Sequence, residues 1–475
     1  MKYISTRGNM NPSGFSNILI KSTPPNGGLT VPENLPHYSM KELESMRDYS
    51  YQDLAVKIMG DFADDIPKED LGKIVNNTYT EKIFNCSSIT PVHEILPSFF
   101  LLDLSNGPSK AFKDIAMQLL INLFEYKLDK TKDFLNITGA SSGDTVAAAE
   151  YAVKGKKNMS IFMLTPYQRM SPFQTAHVFC LDEPNIFNIA IRNGVFDDCQ
   201  SIKTTADKDR EFYEKYHIGT VNSINWARVA AQVVYYFKAY ANSTNRTGEI
   251  VDFCVPTGNF GDIFAGYTAK MMGLPIRKLV LATNENKVLD EFFKTGIYKP
   301  RNTKEVIETD CPSIDISKAA NFERFLFDIF GRDPNLTRRY METIEKRNLL
   351  DLTDTNYFNK VKNSCIVSGS ANHDERIETI KEIYSKTNII IDPHTANAIS
   401  VAFQYRERGI PMICLETAKP IKFEETIKEA LGFIPERPEE LKDLEKKPQK
   451  YGKIEKGDVE LFKKYVAKNA ITRHN

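Results

Sequence analysis

The segment Gly107-Pro108-Ser109-Lys110-Ala111-Phe112-Lys113-Asp114 puts a lysine in the first turn of a strongly apolar helix. Phe112, Ile115, Ala116, Leu119, Leu120, Leu123 and Phe124 recur at three- and four-residue spacing and mark one buried helix face. Lys113 shares a line of side chains with Met117, Leu120 and Phe124, which sets its amine at the edge of that face, and Ser109 offers an N-cap. The positive end of the helix dipole and desolvation both work against the ammonium form. The pattern therefore points to a nucleophilic amine near neutral pH. The alternative is a lysine that snorkels from a core helix.

Three further segments carry polar groups suited to anions. Thr138-Gly139-Ala140-Ser141-Ser142-Gly143-Asp144-Thr145 joins a strand ending at Ile137 to an alanine-rich helix, and Pro256-Thr257-Gly258-Asn259-Phe260-Gly261-Asp262 joins a strand ending at Val255 to a helix from Asp262. Glycine allows close backbone approach, and the unpaired amides of a helix start face the ligand. Neither loop has the glycine and lysine spacing of a nucleotide fingerprint, and each can equally be a tight turn with capping residues. The third segment is Asn222-Ser223-Ile224-Asn225-Trp226-Ala227-Arg228. Its helix buries Trp226, Val229, Ala230, Val233, Val234 and Phe237, and leaves Asn225 and Arg228 on the other side. Arg228 there suits a phosphate or carboxylate, or an ion pair with a neighbouring acid. Glu416-Thr417-Ala418-Lys419-Pro420 follows a buried strand and offers the Thr417 hydroxyl.

These loops need a frame of alternating strands and helices. Strands are expected at 99–104, 133–137, 159–164, 186–191, 250–255, 278–282, 388–391 and 412–415. Helices are expected from Lys113, and over 144–154, 225–241, 262–272, 321–330, 395–405 and 424–431. Alternation of this kind predicts an α/β fold with parallel sheets flanked by helices, whose ligands collect at the carboxyl ends of strands. Residues 1–92, with a helical pattern over Ser39 to Gly60 and a tight loop at Pro24-Pro25-Asn26-Gly27-Gly28, read as a separate helical unit. The last forty residues read as a surface helix and tail. Residues 93–475 form the α/β region, with a smaller subdomain within about 133–220.

Composition narrows the class. The chain has 475 residues, 41% hydrophobic and 26% charged, with 62 basic and 62 acidic side chains. Zero net charge gives no reason to expect nucleic acid or an anionic membrane as partner. No leader pattern opens the sequence and no apolar tract is long enough to span a bilayer, which makes the cytoplasm the expected location. Seven scattered cysteines fit a reducing compartment rather than a disulfide framework, and Cys254 and Cys414 fall inside strands as core thiols. The seven histidines show no ligand spacing, so no metal is expected.

Taken together, Ser-Lys-Ala-Phe-Lys-Asp, Ser-Ser-Gly-Asp-Thr, Ser-Ile-Asn-Trp-Ala-Arg, Gly-Asn-Phe-Gly-Asp and Glu-Thr-Ala-Lys-Pro occur in the order seen in threonine synthases. The chain resembles that family over nearly its whole length, including Asn26-Gly27-Gly28-Leu29 in an N-terminal unit. The resemblance implies a pyridoxal 5'-phosphate enzyme of the tryptophan-synthase-β fold type (fold type II). Carried over by motif, Lys113 forms the Schiff base. Gly258, Asn259, Phe260, Gly261 and Asp262 hold the cofactor phosphate, and Thr417 meets the pyridine nitrogen. Ser141, Ser142, Asp144 and Thr145 bind the substrate carboxylate or phosphate, with Asn225, Arg228 and Lys110 toward the substrate phosphate. Two positions depart from the family pattern: Val146 stands where glycine often follows Gly-Asp-Thr, and Lys419 where histidine often precedes the proline.

The implied reaction is conversion of O-phospho-L-homoserine and water to L-threonine and phosphate, by γ-elimination and β-addition of water, in a monomer. The rivals are a serine or threonine dehydratase of the same fold type, which needs no site for a substrate phosphate, and a non-catalytic relative that binds a phosphorylated ligand.

Overall fold

The computed structural model describes residues 1–20, 24, 27–141 and 143–472, without the side chains of Phe196 and Thr303. Its contacts cluster into two compact units, residues 1–106 with 223–435, and residues 107–222 with 436–475.

The first unit is built on a six-stranded sheet. Its strands lie in the order Ile366–Ser370, Ile276–Thr283, Val251–Pro256, Met412–Glu416, Phe99–Asp103 and Val92–Leu96, all parallel to their neighbours except the last. Alternate residues of a strand face opposite sides, so each face of this sheet has its own cover. Cys254, Val280, Leu101 and Cys414 pack with Ile399 and Ala402 of the helix Pro393–Tyr405. On the other face Phe253 meets Tyr236 of the helix Trp226–Ser243, with ring centroids 4.9 Å apart. The helix Gly261–Met271 fits between that helix and the sheet because Gly266 has no side chain: a Cβ there would lie 2.7 Å from the Tyr236 ring and 3.0 Å from Leu279.

N-terminal residues belong to this unit. A short antiparallel pair, Tyr3–Ser5 with Thr30–Pro32, precedes the helices Met40–Ser45 and Tyr51–Phe62, capped by Ser39 and Ser50. Arg7 forks onto the buried Glu323 at 2.9 and 3.0 Å, and Tyr3 and Phe62 pack on Trp226. Within the loop expected at 24–28, Pro25 and Asn26 lie outside the described residues, while Gly27 N donates to the Pro24 carbonyl at 3.0 Å.

The second unit holds a five-stranded, all-parallel sheet in the order Gly452–Glu455, Ile186–Arg192, Met159–Pro166, Leu135–Ala140 and Ile218–Gly219. Every residue of Met159–Pro166 is buried, as a central parallel strand requires. The helix Lys113–Thr131 packs beside Asp144–Val153.

Four local expectations need correction. Asn388–Ile391 is not a strand: Asn388 closes the helix His373–Thr387 in a left-handed conformation and Asp392 caps the next helix. The three isoleucines of that linker join the core without any ladder, and the edge strand is Ile366–Ser370 instead. The C-terminal residues are not a surface tail, because Gly452–Glu455 extends the second sheet and Phe462 and Val466 of the helix Val459–Asn469 enter its core. Ser109 does not cap the lysine helix, whose N-cap residue is Phe112; its N–H donates to Asp114 Oδ2 at 2.8 Å. Finally, the strand Leu135–Ala140 runs past Ile137, so the loop that follows begins only at Ser141.

Candidate active site

In the second unit Lys113 is the first residue of its helix, as its spacing predicts. Its amine reaches the carboxylate of Asp144, Nζ to Oδ2 3.4 Å, and its side chain is 15% exposed against 4% for Asp144. Asp144 in turn opens the helix Asp144–Val153, which begins without a side-chain cap. The first N–H groups of an α-helix have no partner within it, so this start sets amide donors beside an amine. Ser141 is buried and its Oγ accepts from Gly143 N at 3.3 Å, while Thr145 is half-buried. Ser142 lies outside the described residues. Lys110 sits in the turn before the helix, with φ 57° and its N–H on the Gly107 carbonyl.

The remaining expected residues gather in the first unit, at the carboxyl edge of its sheet. Strands Val251–Pro256 and Met412–Glu416 are neighbours, so Gly258–Asp262 and Thr417 leave adjacent strand ends. Phe260 takes a left-handed conformation, φ 63°, and the helix Gly261–Met271 then starts with no side-chain cap. The loop is held from outside. Asn259 Oδ1 accepts from Ala320 N at 2.7 Å, its amide donates to Ser223 Oγ, and the Phe260 ring packs among Phe293, Phe322 and Phe325. Asp262 is turned into the core, where Tyr235 and Tyr236 donate to its Oδ1 at 2.5 and 2.9 Å. Burial lifts its carboxyl to about 6, against the opposing pull of those two hydrogen bonds. Thr417 is buried and no hydrogen-bond partner of its hydroxyl is found among the described residues.

Asn225 and Arg228 stand on the first turn of Trp226–Ser243. Both ends of the Asn225 amide are engaged, Oδ1 by Ala227 N at 3.0 Å and Nδ2 on the Leu19 carbonyl at 2.8 Å. Arg228 is fully buried, and desolvation pulls its guanidinium down to about 10. The sequence missed what braces these residues: Ser223 and Ala320 for Asn259, and the tyrosine pair for Asp262. It also missed Asp103 and Glu416, which meet Lys419 at the root of the Thr417 loop. Only the position of Lys419 as a departure from pattern pointed there.

The family profile described as Threonine synthase N terminus matches residues 2–79, and that described as Threonine synthase, C-terminal matches residues 395–466. The threonine synthase of Methylobacillus glycogenes is 50% identical over 99% of this chain and 100% of its own length. The chain belongs to the threonine synthase family. The Corynebacterium glutamicum threonine synthase is 46% identical over 98% of each chain. The crystal structure of PLP-bound threonine synthase from Brucella melitensis superposes with a TM-score of 0.94 at 36% identity, covering 99% of this chain and 100% of its own. The fold is thus the α/β, fold-type-II architecture of that family. Among the described residues no group of three His, Cys, Asp or Glu side chains could hold a metal ion, and no helix is long and apolar enough to cross a membrane. A cleft of about 840 Å³ opens elsewhere in the first unit, lined by Asn284, Glu285, Arg301 and Asn372 among others; none of the expected site residues lines it.

Proposed function

We propose that this chain is a pyridoxal-phosphate-dependent threonine synthase that converts O-phospho-L-homoserine and water to L-threonine and phosphate, as a cytoplasmic monomer that engages neither nucleic acid nor membrane. The observation that carries the reading is the lysine amine set at a helix start, largely withdrawn from water and facing Asp144 at 3.4 Å, in a chain 50% identical to a threonine synthase end to end.

The residues fit the cofactor. A phosphate needs bare amides, and the helix Gly261–Met271 starts uncapped after a left-handed Phe260. A ring nitrogen needs a polar group to face it, and the buried Thr417 hydroxyl has no partner among the described residues. Lys113 would hold the cofactor covalently, and Thr417 would offer the ring nitrogen a neutral hydroxyl rather than a carboxylate. When bound, pyridoxal phosphate supplies an electron sink for charge at the substrate's α-carbon.

The chain's own groups do the rest. Lys113 Nζ is placed to take and return substrate protons, with Asp144 fixing its direction. Ser141, Ser142, Asp144 and Thr145 are the groups for the substrate carboxylate or phosphate. Arg228 and Lys110 are the cations for the leaving phosphate, and Asn225 acts by capping the helix that carries Arg228. The N-terminal profile at 2–79 supports residues 1–92 as an N-terminal sequence region, folded within the first compact unit, ahead of a catalytic region at 93–475.

Absorbance spectra of the purified protein and its Lys113→Ala variant, followed by phosphate release from O-phosphohomoserine, test the proposal. A visible-edge band that changes in the variant, with phosphate and threonine in equal amounts, is expected. A band without phosphate release would move the assignment to a dehydratase or a non-catalytic relative.

A further inference from the structure

Two carboxylates end adjacent strands side by side. Asp103 and Glu416 are the last register pair between Phe99–Asp103 and Met412–Glu416, and both side chains are 10% exposed. Like charges directly opposite in a sheet repel, and burial multiplies the cost. One cation answers both: Lys419, three residues past Glu416, turns back so that Nζ lies 2.8 Å from Asp103 Oδ2 and 2.6 Å from Glu416 Oε1. Ser105 Oγ adds a bond to Glu416 Oε1 at 2.9 Å, and Asn106 Nδ2 one to Asp103 Oδ2 at 2.9 Å. Two carboxylates and one ammonium leave one negative charge unless the cluster also holds a proton. The bonds from Lys419 close the turn on whose arc Thr417 stands.

We propose that Asp103, Glu416 and Lys419 are positioning residues at the root of the Thr417 loop and that Glu416 carries an exchangeable proton there, so that this proton sets the charge felt by the group Thr417 contacts. The inference rests on the reading of Thr417 given above. Burial and the neighbouring Asp103 raise the Glu416 carboxyl to about 7, against the pull of Lys419 and Ser105, which puts the exchange near neutrality. Lys419 itself is held above its ordinary range by the two carboxylates despite burial. Of the charged groups described on neighbouring elements, Asp252 pairs with Arg277 at the opposite strand end, and His394 is held by Asp392 and Ser313 N. Lysine at 419, where histidine is the family's frequent choice, keeps the cation fixed while the carboxylate titrates.

The test uses the substrate-free holoenzyme, its cofactor absorbance band followed from pH 5.5 to 9 (roughly one and a half units either side of the transition). The wild type is expected to show a transition near pH 7 that Glu416→Gln abolishes. Lys419→Met should move it upward by about one unit or more, since an opposite charge at this range favours the ionised carboxylate. Ser105→Ala, a mild change that removes one bond to the ionised form, should move it upward by a smaller step. Each variant's thermal midpoint is recorded, because a merely structural role shifts that midpoint and leaves the transition in place. A transition unchanged in both Glu416→Gln and Ser105→Ala overturns the proposal. Absence of any cofactor band in the wild type instead removes the reading on which it rests.

Discussion

Lys113 Nζ and Asp144 Oδ2 are 3.4 Å apart, and their two helices pack side by side. The pair links the candidate nucleophile directly to the residue at which the loop expected to hold substrate enters its helix. Asp144→Asn keeps the shape of this contact and removes its charge. The amine then loses its orienting partner, and turnover should fall about a hundredfold, the scale set by a misplacement of about 1 Å at a reacting group. Cofactor incorporation, read from the absorbance band, should survive. A variant with full turnover would remove Asp144 from the site.

Asp262 supplies a prediction about pH. Its folded carboxyl titrates near 6, above the ordinary 3.8. Between those values the folded state binds more protons than the unfolded chain, so stability falls as pH rises, and the full penalty, on the order of 3 kcal/mol, is present above pH 6. Tyr235→Phe removes a hydrogen bond that favours the ionised form. Its cost in urea midpoints should therefore be larger at pH 8, about 1.5–3 kcal/mol for a bond to a charged group, than at pH 5, about 1 kcal/mol for a neutral one. Equal costs at the two pH values would contradict this account.

How far the sequence disclosed these features depended on whether the signal was local. The helix of Lys113, the strand ending at Pro256 and the helix carrying Arg228 follow from hydrophobic spacing alone, and the structure places them within a residue or two. The order of strands, the edge strand Ile366–Ser370 and the bracing of Asn259 by Ser223 and Ala320 depend on partners far along the chain, which no local pattern records. Asn388–Ile391 misled because three consecutive isoleucines satisfy a core as readily from a linker as from a strand. The C-terminal segment misled in the opposite sense, since its many Lys and Glu residues hid the few apolar positions that anchor it.

That anchoring is open to measurement. Phe462 is fully buried in the core of the second sheet, beside Ile454 and Val466. Phe462→Ala should cost about 3–5 kcal/mol, the usual range for truncating a buried aromatic. A surface tail would tolerate the change within about 0.5 kcal/mol. Denaturant midpoints of the two proteins separate these outcomes.

Gly258 tests the cofactor loop by shape alone. A Cβ at this position would sit 2.9 Å from Ile314 Cα and 2.9 Å from the Ser313 carbonyl, both backbone atoms that no rotamer change can move aside. Gly258→Ala must therefore displace either the loop or the 313–314 turn, at about 1–3 kcal/mol for overpacking of this kind. The helix start at Gly261 follows three residues later, so a displaced loop carries its bare amides with it. Affinity for free pyridoxal phosphate, measured by reconstitution of the stripped protein, should drop at least about tenfold, the equivalent of 1.4 kcal/mol. Gly432→Ala, at an open helix end with φ 81°, serves as the control: its backbone strain lowers stability without touching the loop, and reconstitution should match the wild type. If both variants bind alike, the loop does not hold the phosphate.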